Sequence, residues 1–320
     1  MKISVIGSGA FGTALACALS NTTDVTLWSK STSQVEHMKR TGFNEQHLPG
    51  VFIPEKIKIT DSTHQAMACE TLLIAVPMQA LRSVLKEHEP YLTNQNLVAC
   101  CKGMELTTHL GPVGVIADIL PQANPALLTG PSFAQDIASR LPTALTLACA
   151  NSDKALELQQ TLACDTLRIY RTTDTVGAEL GGALKNVIAI ACGTAIGAGL
   201  GDSARAAIMT RGFTEMVRLA EILGASRHTL SGLSGLGDLA LTCTSKQSRN
   251  YRMGLSLGSG NTDIPEATIE GIASARAIAT LAQTKKIDLP ITTTVADLVD
   301  GKVAVKSAIR SLLSRPLNKE

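Results

Sequence analysis

Gly7-Ser8-Gly9-Ala10-Phe11-Gly12 has the residue types and spacing of a loop that wraps a pyrophosphate. It follows a short β-branched run, residues 3–6, and opens a small apolar helical segment, residues 13–19. That strand–turn–helix setting is what the pattern requires. Gly7 permits a tight turn, Gly9 lets a phosphate approach the backbone, and Gly12 lets helix and strand pack closely. The helix N-terminus then offers N–H groups and partial positive charge. Two other readings share the pattern: a ligand-free glycine turn, and the first loop of a methyltransferase.

Lys185 carries the other chemical signal. It interrupts an apolar helical run, with Gly181 and Gly182 one turn before it and Asn186 after it. Mid-helix glycines cost stability, so they are expected to make room for something. A lysine beside a cavity can pass a proton, and desolvation would lower its pKa toward the working range. Asn186 could fix a substrate hydroxyl. The plain alternative is a lysine snorkelling from a half-buried helix. Asp238 and Thr242 are spaced to share one helix face. Asp238 could orient the lysine ammonium or cap a helix. In Ser248-Arg249-Asn250, Arg249 offers a planar fork suited to phosphate.

The remaining candidates sit where strands should end. Residues 25–28 form a strand candidate, followed by Ser29 and Lys30 with no acid before Glu36. An NAD-specific site would place a carboxylate there. Ser29 can donate a hydrogen bond and Lys30 can neutralise a 2′-phosphate, which favours NADPH, with NADH possible. Val76-Pro77 ends an apolar strand and would line the cofactor cleft. Lys102-Gly103 ends another, where a cation could hold a carbonyl or a phosphate. Thr129-Gly130-Pro131-Ser132-Phe133-Ala134 lacks the last glycine of a nucleophile elbow. It reads better as a turn aiming the Gly130 amide and Ser132 hydroxyl at a ligand.

These residues need a scaffold, and the chain supplies a pattern for one. Strand-like runs at 3–6, 25–28, 56–60, 71–76, 97–101, 126–128 and 144–147 alternate with helical segments such as 79–86 and 113–120. That alternation predicts an α/β fold: an N-terminal Rossmann-like doubly wound, mostly parallel sheet. After Arg171 the helical runs 178–191, 204–223, 272–283, 291–299 and 304–313 predict an all-helical C-terminal domain. The expected division is 1–173, dinucleotide-binding, and 174–320, substrate-binding and catalytic.

Composition closes off other classes. Apolar residues make up 45% and charged residues 18%, which is globular usage. Net charge is +2 and only nine residues are aromatic, so neither a basic surface nor stacking platforms suggest nucleic acid. The six histidines show no i, i+4 pairing and the eight cysteines no Cys-x-x-Cys, so no metal site is expected. The thiols read as reduced, in a cytoplasmic protein. The start of the chain does not read as a signal peptide. The apolar stretch 187–200 is shorter than the ~20 residues of a membrane span, so a buried core helix is expected there and no membrane insertion.

Together these segments resemble the bacterial NAD(P)-dependent glycerol-3-phosphate dehydrogenases. The resemblance rests on residues 7–14 (GSGAFGTA), Val76-Pro77, Lys102-Gly103-Met104-Glu105, 129–134 (TGPSFA), 181–190 (GGALKNVIAI), 235–243 (GLGDLALTC), 247–250 (QSRN) and Ile269-Glu270-Gly271, in the family's order. It implies reversible reduction of dihydroxyacetone phosphate to sn-glycerol 3-phosphate, a small phosphorylated substrate, for glycerophospholipid synthesis. It implies Lys185 as proton donor and acceptor. Lys102, Gly130, Ser132, Asn186, Asp238, Thr242, Ser248, Arg249 and Asn250 become substrate contacts. Gly7, Ser8, Gly9, Phe11, Gly12, Lys30, Lys102, Ala134, Arg249 and Glu270 become cofactor contacts. A homodimer is also implied. The chain departs from the family in Phe11, where Trp or Tyr is common. It departs again in a shorter segment 251–269 ending Glu266-Ala267-Thr268-Ile269-Glu270-Gly271, where a valine contact to the cofactor is in doubt.

Overall fold

The computed structural model describes residues 2–261 and 269–313. The chain forms two compact units, Met1–Lys102 with Leu110–Glu179, and Gly103–His109 with Leu180–Glu320.

Among the described residues the first unit has ten strands: β1 (Lys2–Ile6), β2 (Asp24–Trp28), β3 (Phe43–Asn44), β4 (Leu48–Phe52), β5 (Lys58–Thr60), β6 (Thr71–Ile74), β7 (Asn96–Ala99), β8 (Ala126–Thr129), β9 (Thr143–Cys149) and β10 (Leu167–Thr172). Eight of them form one sheet in the order β10-β9-β8-β7-β6-β1-β2-β5, and β3 and β4 pair separately. Every pairing in the large sheet is parallel except β8 with β9. The order runs outward in both directions from β1, which makes β1 the switch point. Ligands of such sheets bind beyond the carboxyl ends there.

Among the described residues this unit also holds the α-helices α1 (Ala10–Leu19), α2 (Thr32–Thr41), α3 (Thr63–Met67), α4 (Met78–His88), α5 (Pro112–Ile119), α6 (Ala134–Ala138) and α7 (Ser152–Leu162), and a 3-10 turn at Glu89–Tyr91. Alternate strand residues face opposite sides. Leu73, Val98 and Leu128 join α1, α6 and α7 in one core; Leu72, Ile74, Leu97 and Leu127 join α3, α4 and α5 in the other. Both faces are therefore covered, and this accounts for the continuous apolar runs in the sequence. The strand β10 lies at the sheet edge, and residues 167–170 alternate between buried and exposed in place of an apolar run.

The second unit is helical. It comprises most of α8 (Thr175–Gly197), followed by α9 (Gly201–Ile222), α10 (Arg227–Ser231), α11 (Asp238–Thr244), α12 (Arg249–Gly258), α13 (Glu270–Lys285), α14 (Pro290–Val299) and α15 (Val305–Leu313). A π-helical turn, Leu233–Gly237, leads into α11. The helix α8 is longer than the sequence suggested. By length and composition it could cross a membrane, yet 89% of its most apolar window is buried inside the protein. It is the unit's core helix. Its Gly193 and Gly197 face Gly254 and Gly258 of α12 so closely that a Cβ on any of the four would lie 2.1–2.2 Å from a backbone oxygen of the other helix.

Candidate functional site

The glycine loop has three glycines with three different surroundings. Gly7 has φ +112°, and a Cβ there would meet the Ala75 carbonyl oxygen at 2.7 Å. A Cβ on Gly12 would lie 2.0 Å from Gly7 O, so α1 could not sit so close to β1. At Gly9 a Cβ would meet nothing within 4 Å. The structure therefore gives Gly7 and Gly12 their own packing reasons, while Gly9 borders open space. Gly9 is also the N-cap of α1, with no side chain bonded to the first-turn amides. Those amides and that space suit a diphosphate, so the residues present fit a dinucleotide.

A buried polar network underlies the loop. Asn44 Nδ2 donates to Ser8 O and Thr13 Oγ1, both at 2.8 Å. Gln34 Oε1 accepts from Ser8 Oγ (3.0 Å) and Ser29 Oγ (2.8 Å). Neither Gln34 nor Asn44 was singled out in the sequence. Ser31-Thr32-Ser33-Gln34 was legible as a capping box, the one local signal available. Lys30 is exposed at the end of β2. Phe11 is half-buried against the first core, and Ala134 opens α6.

At the ends of β7 and β8, Lys102 Nζ donates to Gly130 O at 2.9 Å, and Ser132 Oγ donates to the same carbonyl at 3.2 Å. The Ser132 hydroxyl thus turns back on the loop. In the same unit, Glu179 accepts from the Val113 and Gly114 amides and closes the N-terminus of α5. Burial pushes its carboxyl up to about 7, against the two amide bonds.

In the second unit, Lys185 comes from the middle of α8 and Asp238 and Thr242 from one face of α11. Lys185 Nζ donates to Asp238 Oδ1 and to Thr242 Oγ1, each at 2.9 Å, and Thr242 Oγ1 donates to Asp238 Oδ1 at 3.2 Å. Lys185 is 7% exposed, Asp238 1% and Thr242 2%. This is a desolvated ion pair, not a snorkelling lysine. Asp238 is the first residue of α11, with Gly237 at the cap position. The glycine Gly181 makes room for backbone: a Cβ there would lie 2.4 Å from Ser234 O, in the turn that delivers Asp238.

A second chain of amides runs beside it. Gly271 N donates to Asn250 Oδ1 (3.0 Å), Asn250 Nδ2 to Asn186 Oδ1 (2.8 Å), and Asn186 Nδ2 to Gly182 O (3.3 Å). Ser248 is buried and caps α12 through Tyr251 N at 3.1 Å. Arg249, the first residue of α12, is exposed. Glu270 opens α13. Glu266, Ala267 and Thr268 lie outside the described residues. All eight cysteines are free thiols, and seven are buried. Among the described residues no group of three His, Cys, Asp or Glu side chains could hold a metal ion.

Known proteins match the chain in both of its halves. The N-terminal family model of NAD-dependent glycerol-3-phosphate dehydrogenase matches residues 2–155 and the C-terminal one residues 174–310. The glycerol-3-phosphate dehydrogenases (NAD(P)+) of Roseobacter denitrificans and Paracoccus denitrificans are each 54% identical over 320 residues, all of both chains. The crystal structure of glycerol-3-phosphate dehydrogenase from Coxiella burnetii superposes with a TM-score of 0.93 at 37% identity, covering 98% of this chain and 99% of that one. With both halves matched in order, this chain belongs to the NAD-dependent glycerol-3-phosphate dehydrogenase family.

Proposed function

We propose that this chain catalyses the reversible NAD(P)H-dependent reduction of dihydroxyacetone phosphate to sn-glycerol 3-phosphate, with Lys185 moving the proton. The observation that carries the mechanism is the desolvated Lys185–Asp238–Thr242 cluster. Family membership supports the substrate and the cofactor class.

Asp238 keeps the buried ammonium charged, since an unpaired buried lysine would shed its proton. Thr242 fixes the direction of the amine. When bound, the reduced nicotinamide supplies a hydride to the carbonyl carbon. Lys185 Nζ gives a proton to the oxygen that becomes the alcohol, and takes it back in the reverse direction. The ammonium also stabilises negative charge developing on that oxygen. Asn186 and Asn250 hold the glycerol part and Arg249, with Ser248, the phosphate. Lys102, Gly130 and Ser132 are further substrate contacts. Gly7, Ser8, Gly9, Phe11, Gly12, Lys102, Ala134, Arg249 and Glu270 hold the cofactor. Lys30 and the missing acid after β2 support a preference for NADPH with NADH also used. The role is supply of glycerophospholipid backbones, in the cytoplasm and as a homodimer.

Purified protein mixed with dihydroxyacetone phosphate should oxidise NADPH, and NADH more slowly, as read by reduced-nicotinamide absorbance. An equal rate with a carboxylated ketone in place of the phosphate would sink the substrate assignment. Equal rates with both cofactors would remove the NADPH preference.

A further inference from the structure

Gln34 sits at the third position of α2, behind the N-cap Ser31, where a capping-box glutamine would reach back to the Ser31 amide. It does not. Ser31 N donates to Ser29 Oγ instead, at 3.3 Å. The Gln34 carboxamide is spent elsewhere. Its oxygen accepts from Ser8 and Ser29, and its nitrogen donates to Ser8 O (3.4 Å) and Asn44 Oδ1 (3.2 Å). Both acceptor and both donor positions of the amide are thereby filled. Because the nitrogen faces two oxygens, the carboxamide has one orientation.

This fixes what Ser29 can offer a ligand. Its hydroxyl proton points at Gln34, and one of its lone pairs takes the Ser31 amide. What remains is an acceptor. A ribose 2′-hydroxyl can donate to an acceptor. A 2′-phosphate, largely dianionic at neutral pH, offers only acceptors and is repelled. Lys30 alone then supports the phosphate at this position.

We propose that Gln34 is a cofactor-specificity residue: by holding the Ser29 proton it makes the end of β2 an acceptor, keeps NADH usable, and limits the preference for NADPH. This rests on the dinucleotide reading of the site. It assigns Gln34 as a positioning residue acting through Ser29.

The test uses binding as well as turnover. Trp28 is the chain's single tryptophan, buried, and one residue before Ser29. Its fluorescence, quenched by energy transfer to a reduced nicotinamide, gives Kd for NADPH and NADH separately. Gln34→Leu frees the Ser29 proton for a phosphate, a charge-assisted hydrogen bond, so the NADPH-to-NADH affinity ratio should rise about tenfold. Gln34→Glu keeps an oxygen that can accept from the serines, sets its other oxygen against Ser8 O and Asn44 Oδ1, and adds negative charge, so the ratio should fall. Any general loosening of the glycine loop weakens both cofactors together and leaves the ratio unmoved. In a Ser29→Ala background, Gln34→Leu should no longer change the ratio. An unchanged ratio in both single variants, or an equal rise in the Ser29→Ala background, overturns the proposal. Failure of the unmodified protein to bind either cofactor would instead overturn the dinucleotide reading.

Discussion

Two polar clusters of this chain are built from opposite materials. Under the glycine loop, Ser8, Thr13, Ser29, Gln34 and Asn44 form a network without a single formal charge. On α8 and α11, Lys185 and Asp238 form a buried ion pair. The difference follows from the roles proposed for each. An anionic cofactor can be met by backbone amides and a helix dipole, and neutral side chains suffice to hold that backbone in place. A reaction that moves a proton needs a titratable group, and burying one requires a counter-charge.

The largest test of this contrast is on the charged side. Lys185→Ala should lower kcat by about a hundredfold to ten-thousandfold while leaving the Kd of NADPH unchanged, as read by Trp28 fluorescence. Asp238→Ala should take the Asp238 counter-charge from the buried Lys185 ammonium and cost about 3–5 kcal/mol in urea unfolding. If both variants bind and turn over normally, the cluster is structural and the contrast disappears.

The glycine loop gives the next effect. Gly12→Ala forces a Cβ against Gly7 O and should cost about 3 kcal/mol of stability. Gly9→Ala should cost within ~0.5 kcal/mol in the free protein yet weaken NADPH at least tenfold. Equal destabilisation by the two would mean that Gly9 serves packing and not a ligand.

Each unit also sets a carboxylate against the start of a helix whose first residue is proline: Glu179 at α5 and Glu215 at α14. Burial raises both carboxyls, Glu179 to about 7. A raised acid binds its proton more tightly folded than unfolded. Its stabilisation is therefore fully present below the ordinary value of 4.5 and is lost as pH rises through about 7. Glu179→Gln should flatten the stability profile between pH 4.5 and 8 by about 2 kcal/mol, less than the full shift because Glu179 is half-buried. An unchanged profile in that variant would remove Glu179 from the account. The smallest effects belong to the two serine N-caps, Ser31 of α2 and Ser248 of α12. Replacing each by alanine should cost about 1 kcal/mol, but only Ser248→Ala should raise KM for dihydroxyacetone phosphate.

The sheet was legible in the sequence because strands covered on both faces are unbroken apolar runs, and the glycine loop because its pattern is local. Lys185 stood out because a charge inside such a run has to be explained. The partners were harder to see. Asp238 lies 53 residues from Lys185, and Asn44 lies 36 from Ser8. No periodicity announces such pairs; only the topology creates them. Gln34 was hidden for another reason, since its local pattern predicts a cap and its side chain instead serves the loop. The length of α8 was underestimated because its last turns carry Gly193 and Gly197, residues of low helix propensity that are kept here by the close approach of α12.

The glycines shared by α8 and α12 bear on how this protein can change over generations. Every single-nucleotide missense change from a glycine codon adds at least a Cβ, and at Gly193, Gly197, Gly254 and Gly258 that atom would fall on a neighbouring backbone oxygen. Neither helix can accept a substitution there unless the other moves, so the contact has no tolerated single-step neighbours. Lineages carrying this seam can drift in the side chains around it while the seam itself stays glycine.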